Sequence, residues 1–106
     1  MSTFGVVLVT ASSREEALRL ADHLVNESLA ACVSFFPMHS VYSWQGTIHH
    51  DDEWQMVIKT NLDYFNLLAA RVKELHSYEV PEVIALPITQ GSKPYLDWLA
   101  EQTTFK

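Results

Sequence analysis

The chain has 106 residues, a hydrophobic fraction of 48% and a formal charge of −6, from 7 Lys and Arg against 13 Asp and Glu. This composition excludes a disordered chain, and the length predicts one domain over residues 1–106, because domains are typically about 100–150 residues long. The negative charge and the scattered basic residues argue against a nucleic-acid partner or an anionic membrane surface.

The first half of the chain predicts a strand, a helix and a second strand. Residues 4–10 form an apolar, β-branched run without alternation, which is typical of a strand that is central in its sheet or covered on both faces. Ser13 and Glu16 have capping-box spacing, and the apolar periodicity behind them predicts a helix over residues 14–28. Residues 31–44 predict a long strand with a bulge or bend near Pro37, because proline cannot donate to a ladder.

The second half predicts two more strands and two more helices. Gln45-Gly46 is a turn signal, and the following alternation over residues 54–59 indicates a third strand, with Lys59 facing away from the apolar even-numbered positions. An amphipathic helix follows Thr60 or Asn61 and ends at His76, residues 82–89 predict a fourth strand, and residues 95–99 a short last helix. The order is typical of an α+β, ferredoxin-like βαββαβ sandwich with an extra C-terminal helix.

The densest group of polar residues follows the second predicted helix, at residues 76–82. His76 is a candidate metal ligand, proton carrier or hydrogen-bond donor, and Glu79 could orient it. In the alternative, structural interpretation, His76 interacts with the negative end of the helix dipole and Pro81 stops the helix. On residue chemistry alone the structural interpretation is favoured, because a single His-Glu pair is a weak motif.

Four other residues are candidates for binding. Tyr42 and Trp44 lie two positions apart on one predicted strand and share a face, where they could stack a flat ligand, although core or subunit interface is the commoner role. Lys59 could bind an anion, but most strand lysines reach solvent. Cys32 could ligate a soft metal, but it lies in an apolar segment, where a free cysteine usually packs as a small hydrophobe.

Residues 49–53, His-His-Asp-Asp-Glu, have the composition of a metal site. Neighbouring strand residues point to opposite faces and cannot all converge on one ion, so we expect a solvated hairpin tip there. The sequence contains no Gly-rich phosphate loop, no H-E-x-x-H, no G-x-S-x-G and no C-x-x-C. Catalysis has no positive motif, and we expect a protein that is not an enzyme.

Two features bear on the compartment. No apolar stretch approaches the roughly 20 residues of a membrane span, and the first residues lack a basic region before the apolar run. The single Cys32 cannot form an internal disulfide, which fits a reducing compartment. We therefore expect a cytoplasmic protein without a membrane partner.

Several strings stand in order along the chain: Leu8-Val9-Thr10-Ala11, Leu29-Ala30-Ala31-Cys32-Val33, Tyr42-Ser43-Trp44-Gln45-Gly46, Ile58-Lys59-Thr60, the segment from Glu74 to Glu82, and Tyr95-Leu96-Asp97-Trp98-Leu99. In this order and spacing they resemble the CutA family of divalent-ion tolerance proteins, from about residue 5 to residue 100. The resemblance implies a ferredoxin-like fold assembled as a PII-like homotrimer with clefts between subunits. It also implies cytosolic proteins linked to tolerance of copper and other divalent ions.

The resemblance also carries site residues onto this chain. The family's polar cleft residues correspond to Lys59, His76, Tyr78 and Glu79, with Tyr42, Trp44 and Cys32 as neighbouring motif members. Members with proposed copper ligation have a Cys in the first strand and a His pair, where this chain has Val9 and Leu75 before His76. His76 and Cys32 remain as metal candidates, and weak copper binding through imidazoles is expected, with His49 or His50 as further ligands.

Three functions compete at this point. The first is a trimeric divalent-cation tolerance or PII-like signalling protein that binds a metal ion or small anion in intersubunit clefts, where Lys59, His76, Tyr78 and Glu79 would meet. The second is an enzyme of unknown reaction that uses His76 and Glu79 as an acid-base pair. The third is a scaffold trimer that acts through a protein partner. The aromatic residues and the exposed edges of a long hairpin support assembly in each case.

Overall fold

A computed structural model describes residues 3–104 and shows the predicted element order. Within these residues the strands are β1 (Phe4–Ala11), β2 (Cys32–Trp44), β3 (Thr47–Asn61) and β4 (Val83–Pro87). The helices are α1 (Arg14–Asn26), α2 (Phe65–Leu75), which follows a 3-10 turn at Leu62–Tyr64, and α3 (Lys93–Gln102). None of the helices described is both long and apolar enough to cross a membrane.

The four strands form one antiparallel sheet in the order β2-β3-β1-β4. With α1 and α2 this is the predicted α+β, ferredoxin-like arrangement, and β1 is central as expected. Val7 of β1 pairs with Ile58 of β3, and both are fully buried in a core that α1 and α2 complete with Leu20 and Leu68. Because strand side chains alternate, α1 and α2 cover one face of the sheet and leave the opposite face, called here the uncovered face, outside this core.

The uncovered face carries large apolar side chains. Phe36, Ile84 and Leu86 are 49%, 49% and 50% exposed, although each lies in a strand. Register places Leu86 opposite Val6 and Ile84 opposite Leu8, so these side chains form part of one surface. In a single chain this surface lies in contact with water.

The structure corrects two predictions for the hairpin. Strand β2 pairs with β3 without interruption from Cys32 to Trp44, so the ladder has no bulge at Pro37, where the sequence predicts a bulge or bend. Since β2 lies at the sheet edge, one side of it needs no ladder bonds, and a residue without an N–H fits there. Residues 49–53 lie within β3 and pair with β2, so the hairpin tip predicted there is wrong. The turn of the hairpin is Gln45-Gly46, where φ is 51° and 79°.

The helix boundaries differ from the predicted ones for local reasons. Helix α1 ends two residues early because Ser28 adopts a left-handed φ of 60°, and the carbonyl of Leu24 accepts from the amides of Leu29 and Ala30. Asn61 caps the turn before α2 as predicted, its side chain accepting from the amide of Asp63 at 2.9 Å. Helix α3 is longer than predicted: it starts at Lys93 with a proline in its first turn.

Candidate functional site

An open cleft of 690 Å³ lies between the β2–β3 hairpin and the segment that follows α2. It contains four of the six cleft residues predicted from the sequence, namely Tyr42, Trp44, Tyr78 and Glu79. The remaining lining residues are Thr10, Met38, Ser40, Val41, Asp51, Glu53, Ser77, Val80 and Glu82. Alternation along paired strands explains the hairpin side of the cleft, since Ser40 lies opposite Asp51, and Met38 opposite Glu53.

Glu16 anchors the segment that forms the other wall. Its carboxylate is buried and accepts hydrogen bonds from the amide and hydroxyl of Ser12, at 2.8 and 2.9 Å, and from the amide of Ser77 at 2.8 Å. Burial alone would raise the pKa of Glu16, but the hydrogen bonds from Ser12 and Ser77 outweigh burial and lower this pKa from 4.5 to about 2. Glu16 is therefore ionised at neutral pH and ties the start of α1 to the cleft wall.

His76 has a structural role in this wall. Its Nε2–H donates to the carbonyl of Thr10 at 2.6 Å, and its Nδ1 accepts from the amide of Tyr78 at 2.9 Å. The side chain is 0% exposed. Because Nδ1 must accept and Nε2 must donate, the ring is held as one neutral tautomer with no lone pair free for a metal. This is a different role from the metal ligation that the sequence suggests for His76.

Tyr78 and Glu53 join the two walls. The Tyr78 hydroxyl donates to Oε2 of Glu53 at 3.1 Å, and Glu53 is only 8% exposed. Burial and the neighbouring Glu53 carboxylate raise the pKa of Tyr78 well above its usual range, so the hydroxyl stays protonated and remains a donor.

Tyr42 makes the equivalent contact nearer the hairpin turn. Its hydroxyl donates to Oδ2 of Asp51, which raises the pKa of Tyr42, and its ring stacks on His49 with centroids 5.4 Å apart. Tyr42 and Asp51 thus place a phenol ring and a carboxylate side by side at the cleft.

The cleft is acidic. Its lining includes the carboxylates of Asp51, Glu53, Glu79 and Glu82, and no Lys, Arg or His side chain of the described residues lines it. Carboxylates beside tyrosine and tryptophan rings attract cations and repel anions.

Lys59 lies elsewhere in the same chain. It pairs with Val6 of β1 and Cys32 of β2, whereas His76 contacts Thr10 at the other end of β1. Val6 and Thr10 are four strand residues apart, a distance of about 13 Å at roughly 3.3 Å per residue. Within one chain antiparallel register therefore separates Lys59 from His76, Tyr78 and Glu79, and their predicted meeting in a cleft between subunits stays a prediction.

Cys32, the other predicted metal ligand, is a free, partly exposed thiol opposite Lys59. No three His, Cys, Asp or Glu side chains between residues 3 and 104 converge as a metal site. Sequence reasoning missed Glu16, Asp51 and Glu53 as site residues. A two-residue turn at Gln45-Gly46 pairs Asp51 with Ser40 and Glu53 with Met38. Since Ser40 and Met38 share a strand face with Tyr42, this register would have placed both carboxylates beside Tyr42.

The comparisons with known proteins give one consistent result. The family described as CutA1 divalent ion tolerance protein matches residues 5–102. The Thermus thermophilus divalent-cation tolerance protein CutA is 50% identical over 99 residues, covering 92% of this chain and 96% of the relative. The chloroplastic CutA protein of Arabidopsis thaliana is 48% identical over 99 residues, and this chain spans 54% of its length.

Solved structures agree with the sequence relatives. The periplasmic divalent cation tolerance protein CutA of Archaeoglobus fulgidus has a TM-score of 0.93 at 40% identity, covering 94% of this chain and 98% of the other. The Thermus thermophilus divalent cation tolerance protein has a TM-score of 0.92 at 48% identity, with the same coverage. The similarity therefore extends over almost the whole fold.

Proposed function

This chain belongs to the CutA1 divalent ion tolerance protein family, and we propose that it acts as a cytoplasmic cation-binding trimer whose sites are the clefts between subunits. The acidic lining of the cleft, with Asp51, Glu53, Glu79 and Glu82 and no basic side chain of the described part of the chain, carries the proposal. The divalent-cation tolerance names of its relatives support the same class of ligand.

The lining favours a cation over the small anion that the sequence leaves open. A chain of net charge −6 needs a local basic group to hold an anion, and Lys59 of the same chain does not line the cleft. Carboxylate and hydroxyl oxygens suit hard divalent cations such as Mn²⁺, whereas copper prefers imidazole nitrogen and thiolate sulfur, and no His or Cys of the described residues lines the cleft.

Assembly would complete the site. A single chain brings no three metal ligands together within residues 3–104, so a neighbouring subunit has to supply further donors. The uncovered sheet face, with Phe36, Ile84 and Leu86 about half exposed, offers an apolar surface for a second copy. Strand β2 at the sheet edge adds unpaired backbone groups.

An acid-base enzyme based on His76 and Glu79 has less support. Both ring nitrogens of His76 are occupied by backbone atoms of Thr10 and Tyr78, and the ring is buried. A general acid or base must reach the proton it transfers, and this imidazole cannot do so as it is held. The function we propose is therefore binding without turnover.

A Mn²⁺ titration tests the proposal. Paramagnetic resonance of free Mn²⁺ measures binding by the trimer, whose mass light scattering confirms. We expect the double variant Glu53→Gln and Glu79→Gln to weaken Mn²⁺ binding by about tenfold or more, because two charged oxygen donors are lost. Glu101→Gln, an exposed change on α3, is the matched control.

Two results would contradict the proposal. Mn²⁺ affinity that is the same in wild type and the cleft double variant would remove the cleft as the site and favour the scaffold hypothesis. A monomeric mass at micromolar concentration would remove the intersubunit position.

A further inference from the structure

The hairpin carries a second polar group on the face opposite the cleft. His39 of β2 and His50 of β3 approach each other there, with Nε2 of His39 3.4 Å from Nδ1 of His50 and ring centroids 5.6 Å apart. They are diagonal neighbours in the ladder, since His39 pairs with Asp52 and His50 with Val41. Alternation places both rings on the opposite side from Tyr42 and Asp51.

Asp52 orients the first ring. Its Oδ1 lies 2.9 Å from Nδ1 of His39 and accepts a hydrogen bond from the Nδ1–H group. The other ring nitrogen, Nε2 of His39, then has its lone pair directed at His50. A carboxylate on the remote nitrogen of an imidazole is the usual outer partner of a metal-bound histidine, because it fixes the tautomer and raises the basicity of the ligating nitrogen.

The spacing of the two nitrogens matches tetrahedral coordination. An ion about 2.0–2.1 Å from each of two nitrogens that are 3.4 Å apart makes an N–metal–N angle of about 108–116°. A square-planar angle of 90° would require the nitrogens to be only about 2.8–3.0 Å apart at the same bond lengths.

We propose that His39 and His50 chelate Zn²⁺, with Asp52 as the positioning residue behind His39. Without metal, His50 donates its Nδ1–H to Nε2 of His39; with zinc, His50 carries that hydrogen on Nε2 and gives the metal its Nδ1 lone pair. Two protein ligands leave two tetrahedral positions for water or for a donor from a second molecule. This site shares no residue with the cleft, so the zinc proposal does not depend on the function proposed for the cleft.

The experiment is a calorimetric zinc titration of the protein without a polyhistidine tag, in a Cys32→Ser background that removes the free thiol. We expect one zinc per chain, with affinity reduced by about tenfold or more in His39→Gln and in His50→Gln. His49→Gln is the matched control, because His49 lies in the same strand but on the cleft face, stacked on Tyr42, and should bind zinc as the parent does.

Cobalt supplies a readout of geometry. Co²⁺ in the site should give the intense visible bands of tetrahedral coordination, and Asp52→Asn should lower its affinity by about tenfold while keeping those bands. The proposal is overturned if zinc affinity is unchanged in both His39→Gln and His50→Gln, if His49→Gln lowers it equally, or if bound cobalt has only the weak bands of octahedral coordination. Unchanged circular dichroism and thermal midpoints show that the variants are folded.

Discussion

Oε2 of Glu16 lies 2.8 Å from the backbone nitrogen of Ser77, although 61 positions separate the two residues. Through this contact a buried carboxylate at the start of α1 holds the segment that follows α2. The same carboxylate accepts from Ser12, and its Oε2 lies 4.0 Å from Nδ1 of His76. The cleft wall is thus held by side chains bonded to backbone groups rather than by a strand.

Replacing Glu16 by Gln should destabilise the protein at neutral pH. The amide keeps only one accepting oxygen for the Ser12 and Ser77 donors, so we expect a loss of about 2 kcal/mol in the free energy of unfolding. Denaturant unfolding at fixed protein concentration measures it, with the exposed neighbour Glu15→Gln as control. Equal stability of the two variants would refute the anchoring role.

The same residue predicts an acid dependence of stability. Because the pKa of Glu16 is about 2 in the folded protein against an ordinary 4.5, its contribution is fully present above pH 4.5 and is lost as pH falls towards 2. The contribution is on the order of 3 kcal/mol. Unfolding curves from pH 5 to pH 2 should fall less steeply for Glu16→Gln than for wild type, and parallel curves would contradict this.

Tyr78→Phe should leave the buried Glu53 carboxylate without its hydroxyl donor and cost about 1 kcal/mol. Because burial and Glu53 raise the pKa of Tyr78 above its ordinary 10.0, this tyrosine contributes stability below pH 10 that is lost as pH rises further. Alkaline titration of tyrosinate absorbance should differ between wild type and Tyr78→Phe only above pH 10. A difference below that pH would show an exposed hydroxyl. Tyr95→Phe, on α3, is the control for removing one phenol.

Leu86→Asp should disrupt the proposed trimer. Leu86 is half exposed on the uncovered sheet face, and a carboxylate there would be buried without a partner in an assembly. Light scattering should give a monomer mass for Leu86→Asp. Leu67→Asp on α2, where the leucine is 45% exposed, should keep the wild-type mass. If Leu86→Asp keeps the wild-type mass, this face is not the interface.

Gly5→Ala should destabilise the centre of the sheet. A Cβ at Gly5 would lie 2.5 Å from Cδ1 of Leu62 and 2.7 Å from the carbonyl oxygen of Leu86, so β1 and β4 would have to separate. We expect a loss of about 1–3 kcal/mol from overpacking. Gly46→Ala meets no atoms but strains a φ of 79°, and should cost no more than about 1 kcal/mol. Thermal unfolding that ranks Gly46→Ala as the more damaging change would contradict the packing argument.

Periodicity was sufficient to predict the order of the elements, because every helix and strand here needs an apolar face. It was not sufficient for Pro37, whose acceptance depends on β2 being an edge strand, a property of the whole sheet. Nor did it predict that residues 49–53 extend β3, since their polar composition is that of a loop while their backbone pairs with β2.

In the candidate site, too, local patterns were predictable from the sequence and contacts between distant segments were not. Tyr42 and Trp44 were predictable as a pair because a period of two is local, and Tyr78 and Glu79 through family resemblance. The position of Lys59 and the anchoring by Glu16 were not predictable from the sequence, because both depend on contacts between distant segments. Glu16 is visible in the sequence only as the partner of Ser13 in a helix cap.

The one-to-one pairing of β2 with β3 restricts how the hairpin can change in length. Deleting one residue of β2 between Phe36 and Tyr42 would move every later side chain of that strand to the other face, so Tyr42 would exchange sides with its neighbour Val41. Removing two residues from each strand would preserve both faces and shorten them together. Among relatives of this chain, natural insertions and deletions in the hairpin strands should therefore occur in even numbers, and odd ones should be confined to the turn.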